Sequence, residues 1–200
     1  MKYIFVAGAP GSKWSSVARN IYYSPDIDRS DAQADRSYSK DGNLMHVGSY
    51  FDPGMEFGAW FDQLDQHTPA ECEREFDRPF SGTGVRIIKS HMFMHHIGFL
   101  KQHWPDAPII MVHRGDDACL GWWVRSGGFD ITYPDYRPYY KDLDFMANEI
   151  TKQNAAMRPY WDLGSFVYNN QELCERLQLT PPSEEYCQVY ADHKIRVKVY

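Results

Sequence analysis

The stretch YIFVAGAPGSKWSSVARNIYY, residues 3–23, decides how the rest of the chain is read. Tyr3–Ala9 is an unbroken apolar run, the signature of a strand covered on both faces rather than one. Ala9–Lys13 then makes a turn rich in small residues. Trp14, Val17, Ala18 and Ile21 follow at helical spacing. Strand, tight loop and helix in that order open a β–α unit. Residues 24–43 carry Asp, Ser and Arg without periodicity and read as a long loop.

Further along, the same alternation returns. Asp52-Pro53 has the form of an N-cap followed by proline at the first helical position, and Phe57, Trp60, Phe61 and Leu64 continue at helical spacing. Thr68-Pro69-Ala70-Glu71 is a capping box. Val85–Lys89 is β-rich, and Phe93, Ile97, Leu100 and Trp104 mark a helix that Pro105 stops. Pro108–His113 is another buried strand, leading into a helix from about Asp117 to Arg125. Residues 126–141 hold glycines, prolines and tyrosines and read as an ordered aromatic loop. Leu143, Met146, Ala147, Ile150, Asn154, Met157 and Trp161 then share one helix face. Phe166–Tyr168 reads as a last core strand, Leu173, Cys174 and Leu177 as one more helix. Ile195, Val197 and Val199 alternate in the manner of an edge strand. The expected fold is α/β, a parallel sheet flanked by helices on both faces, as a single domain over residues 1–200. Ligands in such sheets bind at the carboxyl ends of the strands.

Composition narrows the function. Hydrophobic residues make up 43% of the 200 positions and charged ones 24%, the balance of a globular chain. Net charge is −6, which argues against non-specific binding to nucleic acid or anionic lipid, though not against a local basic pocket. No apolar run approaches the roughly 18 residues of a membrane span, and Tyr3–Ala9 reads as a strand rather than a signal peptide. Cys72, Cys119, Cys174 and Cys187 are scattered without a CxxC pair, so reduced thiols and a cytoplasmic location are expected.

Three motifs fall at the expected strand ends. Gly8-Ala9-Pro10-Gly11-Ser12-Lys13-Trp14-Ser15-Ser16 joins a strand to a helix. Backbone N–H groups, hydroxyls and a lysine at a helix start make an anion cradle, although a plain β–α turn has a similar composition. It lacks one glycine of the nucleotide-kinase loop, since Ser12 meets Lys13 directly. Arg86–His91 is a strand whose alternation puts Lys89 and His91 on one side. There a neutral imidazole is placed to accept a proton and a lysine to stabilise departing negative charge. A histidine capping the next helix is the structural alternative. His91, His95, His96 and His103 cluster, but without the glutamate or cysteines of a metal motif, and exposed helix histidines account for most of them. Last, Ile109–Asp117 sends Arg114 from a buried strand into a glycine turn, placed to grip a phosphate or to pair with Asp116 or Asp117.

Taken in order, these motifs resemble the PAPS-dependent sulfotransferases. That family combines a proline-started phosphosulfate loop, a strand ending Lys-(Thr/Ser)-His, and a strand ending in Arg with Asp soon after. Here the matching residues are Pro10–Ser15, Lys89-Ser90-His91, and Arg114 with Asp117; Ser165–Leu179 is similar to the family's late strand-then-helix segment. The resemblance implies a P-loop-like sulfotransferase fold and transfer of a sulfuryl group from 3′-phosphoadenosine-5′-phosphosulfate (PAPS) without a metal. His91 would be the general base, with Lys13 and Lys89 stabilising charge on the bridging oxygen. Pro10, Gly11, Ser12, Lys13, Trp14, Ser15 and Ser16 would hold the 5′-phosphate and Arg114 the 3′-phosphate. The acceptor would be a hydroxyl or amine of a small molecule or carbohydrate, with no nucleic acid or membrane as partner. Aromatic segments around Tyr133–Tyr140 and Trp60–Phe61 suit either a hydrophobic pocket or sugar stacking.

The chain departs from the family at three points. Gly11 stands where the family has a basic residue, Trp122 where it has a 3′-phosphate serine, and its late Arg-Lys-Gly loop has no clear counterpart. Arg125 and Ser126 lie near enough in sequence to compensate for the serine. A P-loop nucleotide or small-molecule kinase and a non-catalytic binding protein on the same fold are the competing readings. The first would need Mg²⁺ and an acidic strand end.

Overall fold

The computed structural model describes residues 1–32, 38–46, 63–133, 135–138, 140–183 and 189–200. The chain is α/β, built on a five-stranded sheet in the order β4 (Arg86–Lys89), β1 (Tyr3–Gly8), β5 (Ile109–His113), β7 (Arg196–Val199), β6 (Ser165–Val167). Strand β1 (Tyr3–Gly8) is buried at every position and is paired in parallel with β4 (Arg86–Lys89) on one side and β5 (Ile109–His113) on the other. Its period-two alternation feeds two cores. Ile4 and Val6 join Ile87, Ile110 and Val112 under α1 (Trp14–Tyr22), through Val17 and Ile21. Phe5 and Ala7 join Ile88 and Met111 on the opposite face, against Phe76 of α2 (Pro69–Asp77) and Ile97 and Leu100 of α3 (Ile97–His103). Helices thus cover both faces, as an apolar strand with no polar side demands. The capping box forms at α2, where Glu71 N donates to Thr68 Oγ1 at 3.4 Å and Thr68 N to Glu71 Oε2 at 2.8 Å.

The sheet is mixed, not wholly parallel. Strand β7 (Arg196–Val199) runs antiparallel to both β5 and β6 (Ser165–Val167). It lies between them instead of at the edge, and β6 is the edge strand, with Phe166 and Tyr168 exposed. The tail's alternation misled because it describes the faces of the strand, not its neighbours. Val197 and Val199 enter the core under α6 (Asn170–Leu177), while Lys198 lies over Trp161 and Phe166 and donates to the Trp161 carbonyl. An aliphatic stem with an ammonium tip satisfies that polar face inside the sheet.

Two further corrections concern loops and histidines. The long loop over 24–43 contains β2 (Tyr38–Lys40) and the start of β3 (Asn43–His46), an antiparallel hairpin. Asp41 and Gly42 both take positive φ at its turn, as the Asp-Gly hairpin turn requires. The residues after β4 form a 3₁₀ turn, His91–His95, before α3 begins, and His91 and His96 are buried, not exposed. The helix expected from Asp52 through Phe61, and with it Trp60, lies outside the described residues, as does Cys187; Leu64 at its end is buried. Over 126–141 the aromatic loop packs Tyr133, Tyr136 and Tyr140 into the core beneath α4 (Asp116–Arg125) and α5 (Leu143–Trp161). Among the described residues no helix is long and apolar enough to cross a membrane.

Candidate active site

The β1–α1 loop is fixed by its glycine. Gly11 has φ of 77°, and a Cβ there would lie 1.9 Å from the Cys119 carbonyl oxygen of α4. The loop therefore sits directly against the start of that helix, and only glycine permits the approach. Ser12 N donates to the Ala9 carbonyl at 2.9 Å. Pro10 and Ser12 are buried, and the Ser12 hydroxyl meets no partner among the described residues. Lys13 follows in the left-handed region, at φ 68°, ψ 16°, an uncommon conformation for a residue with a Cβ. It caps α1 with backbone alone: no side chain caps that helix, and no acidic residue occupies its first turn. The positive end of the helix dipole thus borders a small cleft of about 50 Å³, lined by Gly11, Lys13, Ser15, Ser16, Trp122 and Ser126 among others. Trp14 lies at its floor, buried.

Arg114 enters the same place from the end of β5. Its carbonyl is pinned by Asn154 Nδ2 at 3.0 Å and by the Cys119 thiol at 3.3 Å. Its guanidinium turns to the loop, where Nη1 donates to the Gly11 carbonyl at 3.3 Å and Nε is buried without a partner among the described residues. The acidic residues that follow do not neutralise it. Asp116 is taken by Asn154 at 2.6 Å and Thr151 at 2.8 Å, and Asp117 is exposed and makes no contact with Arg114. The structural alternative for this motif, Arg114 paired with Asp116 or Asp117, is therefore absent among the described residues.

Trp122, in the position of the expected serine, organises the cations. Lys13 Nζ lies 4.1 Å from its ring centre, and the Arg114 and Arg125 guanidinium carbons lie 5.9 and 5.6 Å away. Such contacts draw on the ring quadrupole and spread little charge. Burial, then the neighbouring Arg114 and Arg125, hold the Lys13 ammonium below the usual lysine range. Among the described residues no carboxylate stands within salt-bridge distance of Lys13, Arg114 or Arg125. A buried arginine, a half-buried lysine and an exposed arginine with no acid between them make this end of the sheet attractive to an anion.

The end of β4 is different. Lys89 is 2% exposed, and burial pushes its ammonium down to about 8, against the opposing pull of Asp31. Ser90, not His91, caps the following turn: its hydroxyl accepts from Met92 N at 3.0 Å. That frees the imidazole from a capping role. His91 is fully buried, stacked on Tyr136 at 6.0 Å and beside Tyr140 at 6.1 Å, with Nδ1 3.0 Å from the side-chain amide of Gln153. The other amide atom of Gln153, Oε1, is buried without a partner among the described residues. Oxygen and nitrogen of such an amide are interchangeable by rotation. The amide nitrogen faces both His91 Nδ1 and Met92 Sδ, the latter at 3.7 Å; only after rotation of the amide would its oxygen accept from Nδ1–H and leave the lone pair on Nε2, the tautomer that a base requires.

The structure thus brings Lys13, Ser15 and Ser16 to one cleft, with Arg114 beside it through Gly11 and Trp122, and Ser12 buried beneath the loop. Lys89 and His91 lie on a neighbouring strand end, on the face that carries Ile87, and Tyr136 borders both places. Sequence reasoning missed Gln153, although a glutamine on the buried face of α5, between Ile150 and Met157, is a readable signal. It also missed His193, whose Nδ1 lies 2.9 Å from Lys13 Nζ; nothing in its local sequence marks it. Among the described residues no three His, Cys, Asp or Glu side chains converge on a point that would hold a metal. Comparison of the chain with protein-family models, curated proteins and solved structures returns no match.

Proposed function

We propose that this protein is a PAPS-dependent sulfotransferase with a P-loop-like sulfotransferase fold, acting in the cytoplasm on a hydroxyl or amine of a small molecule or carbohydrate. The observation that carries the reading is the carboxylate-free group of Lys13, Arg114 and Arg125 at the uncapped start of α1. It stands beside a strand end holding a buried lysine and a buried histidine. A ligand with one phosphate would leave cations unanswered; a nucleotide with phosphates at both 5′ and 3′ positions matches them better.

In the proposed reaction His91 Nε2 takes the proton of the acceptor hydroxyl as its oxygen attacks sulfur. The bond between sulfur and the bridging oxygen breaks in line. The electron pair leaves with adenosine 3′,5′-bisphosphate, and Lys13 and Lys89 donate to the oxygen that gains charge. Removal of one such donor typically slows the step about 10²–10³-fold. Ser12, Ser15 and Ser16 hold the 5′-phosphate with the backbone from Pro10 to Trp14. Arg114 takes the 3′-phosphate, with Arg125 and Ser126 in the place of the absent serine.

One observation favours a second reading, a binding protein without turnover: His91 is fully buried, with Tyr136 and Tyr140 against it. Calorimetric titration with adenosine 3′,5′-bisphosphate, against ADP with and without Mg²⁺, tests the proposal. Metal-independent binding of the bisphosphate, stronger than that of ADP, supports it. Preference for ADP with Mg²⁺ points to a kinase, and binding of neither removes the nucleotide from the account. Bisphosphate binding without sulfuryl release from PAPS leaves the binding-protein reading.

A further inference from the structure

The turn before strand β7 brings against Lys13 a residue that belongs to none of the three motifs. Because β7 runs antiparallel, its first residue, Arg196, pairs with His113 at the carboxyl end of β5. The 3₁₀ turn Ala191–His193 just before it therefore arrives at the same sheet edge as the β1–α1 loop. There His193 Nδ1 meets Lys13 Nζ at 2.9 Å. An ammonium has only protons to donate, so at this contact the imidazole accepts through Nδ1 and carries its own proton on Nε2. In the free chain His193 is thus a neutral ring placed against a cation. Burial, then Lys13, hold its protonation below the usual histidine range; Asp192 pulls the other way, and Arg114 adds to the repulsion. Those three are the charged groups that face it among the described residues.

We propose that His193 is a latent fourth cation of the anion site, taking up one proton when a divalent anion binds beside Lys13. The inference rests on the reading of this cleft as the seat of an anionic ligand group. On binding, the anion supplies the negative charge that the protein withholds. The proton that arrives from solvent occupies Nδ1, so the ring can no longer accept from Lys13. Lys13 Nζ is released toward the anion, and Nδ1–H becomes a donor in its own right. Two groups that hold each other in the free chain then both donate to the ligand. Anion affinity rises as pH falls, in the range where histidine titrates.

Inorganic sulfate is the probe, since it does not change charge in this range. Calorimetric titration of the full chain with sulfate, at constant ionic strength between about pH 6 and pH 8, reads the affinity where histidine titrates. Buffers of different ionisation enthalpy count the protons taken up. Wild type is expected to bind with net proton uptake, its affinity strengthening toward about tenfold per pH unit at the steepest point. His193→Gln, a substitution at a partly exposed position, is expected to bind with a flat profile. The same slope in His193→Gln would overturn the proposal, as would sulfate binding without proton uptake, or no sulfate binding. Nitrogen-15 spectra of labelled histidine provide a check within the unmodified chain: added sulfate should move the His193 ring to its imidazolium signature, and an unchanged ring contradicts the proposal. If sulfate behaves as expected but adenosine 3′,5′-bisphosphate does not compete with it, the sulfotransferase reading fails while the role of His193 stands.

Discussion

Two ends of the same sheet edge hold lysine in opposite ways. At the β1–β5 end, Lys13 lies beside Arg114 and Arg125 over the face of Trp122, half-exposed and without a carboxylate among the described residues. At the β4 end, Lys89 is enclosed, with Asp31 near enough to oppose the effect of burial, and Asp31 is itself held by the Tyr22 hydroxyl at 3.0 Å. The first arrangement is unfavourable until something anionic arrives. The second has a carboxylate inside the fold to oppose burial, although burial still outweighs it. Charge without an internal partner marks where a ligand is bound; charge with one marks what the fold keeps ready for it. His91 belongs to the second group, oriented by Gln153 and covered by Tyr136 and Tyr140.

Substitutions that separate the two ends should therefore give different phenotypes. The largest effect is expected at the β4 end. His91→Ala should lower sulfuryl transfer from PAPS by about 10²–10⁴-fold, the usual contribution of a general base. Near-normal turnover in that variant would remove His91 from the chemistry.

Lys89 offers a test through stability. Its folded-state ammonium loses its proton near pH 8, whereas the unfolded chain does so near the ordinary lysine value of 10.5. Between the two the unfolded state binds more protons, so folding stability should rise with pH across that window. Lys89→Met should remove this rise, as read from denaturant midpoints at matched ionic strength. An unchanged profile would mean that Lys89 is not enclosed as a charge.

Trp122 should give the smallest effect. Trp122→Leu removes a ring that faces three cations, each contact being worth about 0.5–1 kcal/mol at an exposed site. Bisphosphate binding should weaken several-fold while Lys89 and His91 keep their environment. No change would mean that the ring only fills space.

Much of this arrangement was legible in the sequence, and the reasons are local. Tyr3–Gly8 announced a doubly covered strand because none of its residues is polar, and Thr68–Glu71 announced a helix start through its own side chains. The placement of Lys89, His91 and Arg114 at the ends of β4 and β5, and of Lys13 at the start of α1, was readable because the chain's direction fixes which end of the sheet each junction serves. What escaped depends on distant chain. The antiparallel insertion of β7 requires knowing that β5 and β6 are held apart, which no property of Arg196–Val199 reveals. His193 reaches Lys13 only as a consequence of that insertion. The exposed helix histidines were a misreading of the same kind, since His91 is buried by tyrosines more than 40 residues later in the chain. Asp41-Gly42, like Gln153, was a local signal passed over, and it makes the hairpin whose Tyr38 hydroxyl donates to the Ser126 carbonyl at 2.9 Å beside the cleft.

The division between a ligand-holding end and a reacting end is tested most directly by one paired titration. Adenosine 3′,5′-bisphosphate would be titrated calorimetrically into Arg114→Ala and His91→Ala alongside wild type. Arg114→Ala should weaken binding by about tenfold or more, the loss expected when a charge-assisted contact is removed, and His91→Ala should leave it within about twofold. Equal losses in both variants, or unimpaired binding in Arg114→Ala, would contradict the account.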